Sequence, residues 1–254
     1  MRAEVKGDRG DGPAVVFLPG MDGTGELLLD TASKLEAHFR LLRFCYVDEG
    51  LPGSAATYER LADTAAGCLA DAGVRGALIL AESFGGGVAL QLALRHPQLV
   101  RGLALVNTFA WFPNHLRARL GAALFPWTPT RAVHLARSVI GRRLFFRPRR
   151  DAEAEAAFLI HATGFEDASF AARMKAVPEL DLRDRLAEIH VPCRLYASTH
   201  DRVVPSRRTM ATLAQGLPQA TLELIPRANH IVLPLPEEPW AERLQALDQI
   251  SEPS

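Results

Sequence analysis

Three residues distant in the chain have the types that turn a hydroxyl into a nucleophile: Ser83, Asp201 and His230. A serine hydroxyl is weak at neutral pH, and its attack on a carbonyl needs a base to take the proton. A neutral imidazole at His230 suits that role, and can later hand the proton to a leaving alcohol. Asp201 would fix the imidazole tautomer and stabilise the imidazolium. Taken singly, each has a plainer reading, since Asp201 can cap the helix that follows it and His230 can be a surface loop residue. His200 is a lesser rival base, tied to the loop of the acid itself. Asp181, Asp184 and Glu223 are weaker substitutes for the acid.

Such residues need strand ends to hold them. Ala77-Leu78-Ile79-Leu80 is a short apolar run, bounded like a buried parallel strand. Val88 to Leu94 is rich in helix formers. Between them lies Ala81-Glu82-Ser83-Phe84-Gly85-Gly86-Gly87. A serine on so sharp a turn is held in a strained conformation with its hydroxyl clear of the sheet. The segment also reads as an ordinary Gly-rich turn. A phosphate-cradling loop would need Lys-Ser/Thr after the glycines, and that pair is missing.

The same alternation recurs along the chain. Ala14 to Leu18 reads as a strand closed by Pro19-Gly20, then a flexible turn, Met21-Asp22-Gly23-Thr24-Gly25, and a helix from about Glu26 to Phe39. Strands are predicted at Leu41–Tyr46, Val100–Val106, Pro192–Ala197 and Thr221–Ile225, and helices at about Thr57–Ala72, Ser206–Gly216 and Pro239–Ile250. Residues 1–12, charged and Gly-rich, read as loosely ordered. The pattern predicts an α/β fold, a mostly parallel doubly wound sheet of five or six strands. Ser83, Asp201 and His230 each follow a predicted strand, so they should meet at one edge of it.

From Thr108 to about Glu188 the pattern turns helical and is broken by prolines. We expect a core of residues 1–108 and 189–254, with 109–188 inserted as a helical cap over the strand ends. Between Trp111 and Arg150 there are nine arginines and no Asp or Glu. Interleaved with Leu116, Leu120, Val133, Leu144, Phe145 and Phe146, they allow peripheral contact with anionic lipid or with the phosphates of an acyl carrier. Solvated arginines on the outer faces of cap helices are the plainer account. Phe109, Trp111, Phe112, Trp127 and Phe165 are candidates for a greasy acyl pocket, although ordinary packing explains most of them as well.

The totals narrow the classes. With 254 residues, 48% of them hydrophobic, the chain can bury one substantial core, and its 29 basic and 29 acidic residues give no charge bias toward nucleic acid. Cys45, Cys68 and Cys193 have neither metal-type spacing nor an even disulfide framework. No metal and no cofactor are expected. No apolar leader or membrane-length stretch is present, so a cytoplasmic location without stable membrane insertion is expected. Nothing bears on oligomeric state.

Leu18-Pro19-Gly20-Met21-Asp22-Gly23-Thr24-Gly25, Glu82-Ser83-Phe84-Gly85-Gly86, His200-Asp201-Arg202-Val203-Val204-Pro205 and Asn229-His230 together resemble the α/β-hydrolase superfamily. The serine segment is similar to its nucleophile elbow, with Ala81 in place of the usual first glycine, and the order Ser83, Asp201, His230 is the order of its triad. The loop after the first strand is also similar to that of phytyl-ester-synthase-like acyltransferases and their bacterial relatives. The resemblance implies an oxyanion hole from the backbone N–H groups of Met21 and Phe84, with Gly20 letting the loop lie against the substrate. It implies a serine hydrolase with an acyl-enzyme intermediate, acting on small-molecule carboxylic esters of short to medium acyl chains. Acyl transfer to an alcohol, thioester hydrolysis and a non-catalytic binding protein on the same fold remain open at this point.

Overall fold

The computed structural model describes residues 1–48, 56–128, 145–146, 151–161 and 168–251. Seven strands form one sheet: β1 (Arg2–Arg9), β2 (Ala14–Leu18), β3 (Arg40–Val47), β4 (Ala77–Glu82), β5 (Val100–Val106), β6 (Cys193–Ser198) and β7 (Ala220–Ile225). Their order across the sheet is β1-β3-β2-β4-β5-β6-β7, with β1 antiparallel to β3 and every other pair parallel.

β4 lies in the middle of this sheet and all six of its residues are buried. A strand covered on both faces reads as a continuous apolar run. Its side chains alternate between two cores. Ala77, Ile79 and Ala81 pack with α2 (Tyr58–Asp71) and α3 (Phe84–Arg95). Leu78 and Leu80 pack with Leu35 of α1 (Asp30–Glu36) and with residues Trp240 and Leu244. Glu82 continues the second row by the same alternation.

Between β5 and β6 the described chain is helical: α4 (His115–Leu124), α5 (Ala152–His161), α6 (Ala168–Ala176) and a 3-10 turn at Arg183–Glu188. α7 (Ser206–Gly216) and α8 (Trp240–Ser251) complete the layers. Among the described residues, no helix is long and apolar enough to cross a membrane.

The fold differs from the sequence reading in two places. Residues 1–12 are not loose, since Arg2–Arg9 is a strand in register with β3 and Met1 is fully buried. Its charged residues suit an edge that turns one row to solvent, which hides it from an apolar pattern. The first helix is shorter than expected. Positive φ at Gly25 (73°) and Leu29 (49°) keeps the preceding residues in turns, and the helix starts only at Asp30.

Most of the arginine-rich stretch, with Val133, Leu144 and Phe165, lies outside the described residues. Of the rest, Arg119 pairs with Glu179 at 3.1 Å.

Candidate active site

The chain moves outward from the middle of the sheet in both directions, to β3 from β2 and to β5 from β4. Loops leaving strand ends at such a reversal enclose a crevice. Leu18 stands opposite Ala81, and Glu82 opposite Val106, so the loop after β2 lies beside the turn after β4.

Ser83 occupies that turn at φ 52°, ψ −117°. A non-glycine residue holds such a conformation only when its surroundings impose it. Here the Ser83 N–H donates to Val106 O at 2.9 Å, and the Thr108 hydroxyl donates to Ser83 O at 2.5 Å. α3 begins at the next residue. A Cβ at Gly85 would overlap the Leu18 and Pro19 carbonyls, so only glycine lets the helix start this close to the β2 loop. As the first residue of α3, Phe84 has an N–H with no acceptor inside the helix.

Ser83 Oγ lies 3.0 Å from His230 Nε2, and His230 Nδ1 lies 2.8 Å from Asp201 Oδ2. With Asp201 ionised, Nδ1–H donates to the carboxylate and Nε2 accepts from the serine hydroxyl. Asp201 Oδ1 also accepts the N–H groups of Val203 (2.9 Å) and Val204 (3.0 Å), and Oδ2 accepts the Ser206 hydroxyl. Burial alone would raise this carboxyl, but the imidazole of His230 and these hydrogen bonds hold it below its ordinary value. Burial would likewise lower the imidazole, yet Asp201 first, and then Glu82, raise it above its ordinary value.

Two asparagines fasten these loops. Fully buried Asn107 donates through Nδ2 to Ser198 Oγ (2.8 Å) and His230 O (2.8 Å), and accepts the Ser198 N–H at 2.8 Å. Asn229 Oδ1 accepts the N–H groups of Arg202 (3.1 Å) and His230 (2.8 Å). The ends of β5, β6 and β7 are thereby tied together.

On the other side, Gly23 N–H donates to Gly20 O at 3.1 Å and closes a turn. The two ends of a trans peptide point oppositely. With the Gly20 carbonyl committed to the turn, the Met21 N–H of the same peptide faces out of it. Arg173 of α6, only 1% exposed, grips this turn. It donates to Met21 O (2.9 Å), Asp22 O (3.1 Å) and Ser169 Oγ (2.8 Å). Gly23, at φ 72°, has no room for a Cβ under that guanidinium. Tyr46 donates its hydroxyl to Pro19 O at 3.1 Å. Asp22 is buried, accepts Thr24 N–H (2.9 Å) and Oγ1 (2.5 Å), and is raised chiefly by burial.

Above Ser83 opens a cavity of about 470 Å³. Of the expected substrate-binding residues, Gly20 and Phe112 line it, as do Met21 and Phe84. Trp111 is a correction. It stands outside the lining, stacked on Arg183 (4.6 Å) and Arg208 (5.3 Å), with its backbone bridged to Asp181. Guanidinium planes cover its ring, so its aromatic area is used there. Trp127 is 85% exposed. His200 bonds Thr199, Asp181 pairs with Arg183, Glu223 pairs with Arg243 and Asp184 is exposed, whereas the imidazole bonded to Ser83 is that of His230 and the carboxylate on it is that of Asp201.

The sequence reading passed over Glu82, Asp22 and Arg173. Glu82 is 3% exposed, lines the cavity and is pushed up to about 8, chiefly by burial. An acid ending a wholly apolar strand beside a serine was the available signal. Among the described residues, no group of His, Cys, Asp and Glu is arranged to hold a metal ion.

Comparison with known proteins finds hydrolases. The family model of serine aminopeptidase, S33, matches residues 53–236. A 2-hydroxymuconate semialdehyde hydrolase from Pseudomonas putida is 31% identical, over 87% of this chain and 78% of that protein. A Caulobacter protein provisionally named carbamate hydrolase RutD is 27% identical, over 88% of this chain and 86% of its own. Among solved structures, a hydrolase from Pseudomonas aeruginosa superposes with a TM-score of 0.77 at 26% identity, covering 95% of this chain and 92% of that one. With a seven-stranded sheet of this topology and a family match over more than half its length, the chain belongs to the serine aminopeptidase S33 family and is a hydrolase of the α/β-hydrolase fold.

Proposed function

We propose that this hydrolase cleaves carboxylic esters through an acyl-enzyme on Ser83. The observation that carries the reading is the continuous relay from Ser83 Oγ through His230 to Asp201, at 3.0 and 2.8 Å, opening into an apolar cavity. His230 Nε2 takes the hydroxyl proton as Ser83 Oγ bonds to the ester carbon. The N–H groups of Met21 and Phe84 receive the charge that develops on the carbonyl oxygen, which is the largest electrostatic contribution in such sites. The imidazolium, stabilised by Asp201, protonates the departing alkoxide. Water then gives a proton to His230 and attacks the acyl carbon, the bond to Ser83 Oγ breaks, His230 returns the proton to Oγ, and the acid is freed.

The relatives' names cover a carbamate and a semialdehyde. Phe109, Phe112, Phe145, Phe158, Phe170 and Met174 line the cavity here and favour an ester with an apolar acyl group of short to medium length. We place α4, α5 and α6 as a cap over that group, with Arg173 joining the cap to the oxyanion loop. Incubating the chain and its Ser83→Ala variant with p-nitrophenyl esters of increasing length tests the reading. Release of nitrophenol by the wild type and loss of at least about 1000-fold in the variant is expected, whereas similar turnover by both rejects it.

A further inference from the structure

We infer that Glu82 is a specificity-determining residue, forming a subsite for a neutral hydroxyl group borne by the ester near its scissile carbonyl. The inference rests on the ester-hydrolase reading above and deepens it.

Glu82 immediately precedes Ser83 and lines the same cavity. Its Oε1 is shut off from solvent and has no hydrogen-bond partner, so a substrate hydroxyl meets it by a turn of the carboxyl toward the cavity that the rest of Glu82 lines. Leaving a buried polar atom unpaired is costly, and a bound substrate can supply what the fold does not. The proton state decides what kind of group fits. His230, Asp22 and Asp201 all act on this carboxyl. Burial first, and then the two aspartates, raise it to about 8, while His230 pulls the other way. At neutral pH the group is therefore a carboxylic acid, with an O–H to donate and a carbonyl oxygen to accept. A hydroxyl complements both.

A charged group does not. An ammonium would share this end of the cavity with the His230 imidazole, which turns cationic during the reaction. A second carboxylate would meet Asp22, which lines the same wall. The remaining wall, from Leu27 to Phe158 and Phe170, offers apolar contact.

A site built to hydrogen-bond a substrate hydroxyl discriminates against the analogue that lacks it far more than an apolar pocket discriminates by size. The matched set is ethyl butyrate, ethyl 2-hydroxybutyrate and ethyl 3-hydroxybutyrate, with the released acid measured by chromatography. Wild type, Glu82→Gln and Glu82→Leu are compared at about pH 6 and about pH 9, either side of the Glu82 ionisation. At the lower pH, wild type should favour a hydroxy ester over the plain ester in kcat/KM by about tenfold or more, and this ratio should shrink at the higher pH. Glu82→Gln keeps a donor and an acceptor without titrating, so its ratio should persist at both. In Glu82→Leu the ratio should fall to near one.

A wild-type ratio near one for both hydroxy esters overturns the proposal, as does a preference that survives in Glu82→Leu. If the leucine variant does not fold, the pH comparison decides, and a wild-type preference equal at both pH values overturns it. Labelling of wild-type Ser83 by a fluorophosphonate and turnover of the plain ester report separately on the hydrolase reading. Their absence would sink that reading, whereas their presence without a hydroxyl preference would sink only this one.

Discussion

Asp201 and Glu82 are carboxylic acids of similar burial serving one site, and their surroundings leave them in opposite states. Asp201 accepts bonds from two backbone N–H groups, a serine hydroxyl and an imidazole, and is held below its ordinary value. Glu82 has one oxygen without any partner and is raised to about 8. Burial penalises both charges, so the partners decide the outcome. The satisfied acid bonds the imidazole, as the proposed relay requires, and the unsatisfied one forms part of the cavity wall.

The same substitution at the two positions should therefore break different things. Asp201→Asn leaves the shape but removes the charge that fixes the tautomer and steadies the imidazolium, and kcat should fall by about three to four orders of magnitude. Steady-state ester hydrolysis measures it, and a loss below about tenfold would remove Asp201 from the relay.

Glu82→Gln should show itself in stability. An unfolded glutamate ionises near 4.5, whereas the folded one holds its proton to about 8. Between these values the folded state binds a proton that the unfolded state has lost, so wild-type stability should decline as pH rises through that window, by roughly 3–5 kcal/mol in total. The glutamine variant should lack that decline and be the more stable protein near the top of the window. Urea titrations at the two ends compare them, and parallel curves would contradict the assignment.

The smallest effect sharpens the contrast from the oxyanion side. Arg173→Met removes the donors that hold the carbonyls of Met21 and Asp22 while keeping an apolar stem. On the proposed reading turnover should drop about 10- to 100-fold, mostly in kcat, because the freed turn would no longer hold the Met21 N–H toward the developing charge. Arg173→Lys should recover part of it. A change confined to KM would instead make Arg173 a packing residue.

Much of this site was legible from the residue order alone. Ser83, Asp201 and His230 each follow a predicted strand, and parallel strands with crossover helices gather their loops at one edge. Apolar periodicity marks what is inside, so it cannot announce a buried charge. That is why Glu82, Asp22 and Arg173 escaped notice, Arg173 as one of two basic residues in the last turn of α6. The same blindness hid β1, whose charged edge resembles a loop. Trp111 shows a different limit, since the sequence names an aromatic ring but not which guanidinium will cover it.

The imidazole beside Ser83 follows a strand at the edge of the sheet. β7 closes one margin of the sheet, most of its residues are wholly or partly open to solvent, and His230 follows it by five positions. Fraying at that margin would carry the imidazole away while β2 and β4 stay paired. Such a molecule would be folded through its centre and, on the proposed reading, chemically silent.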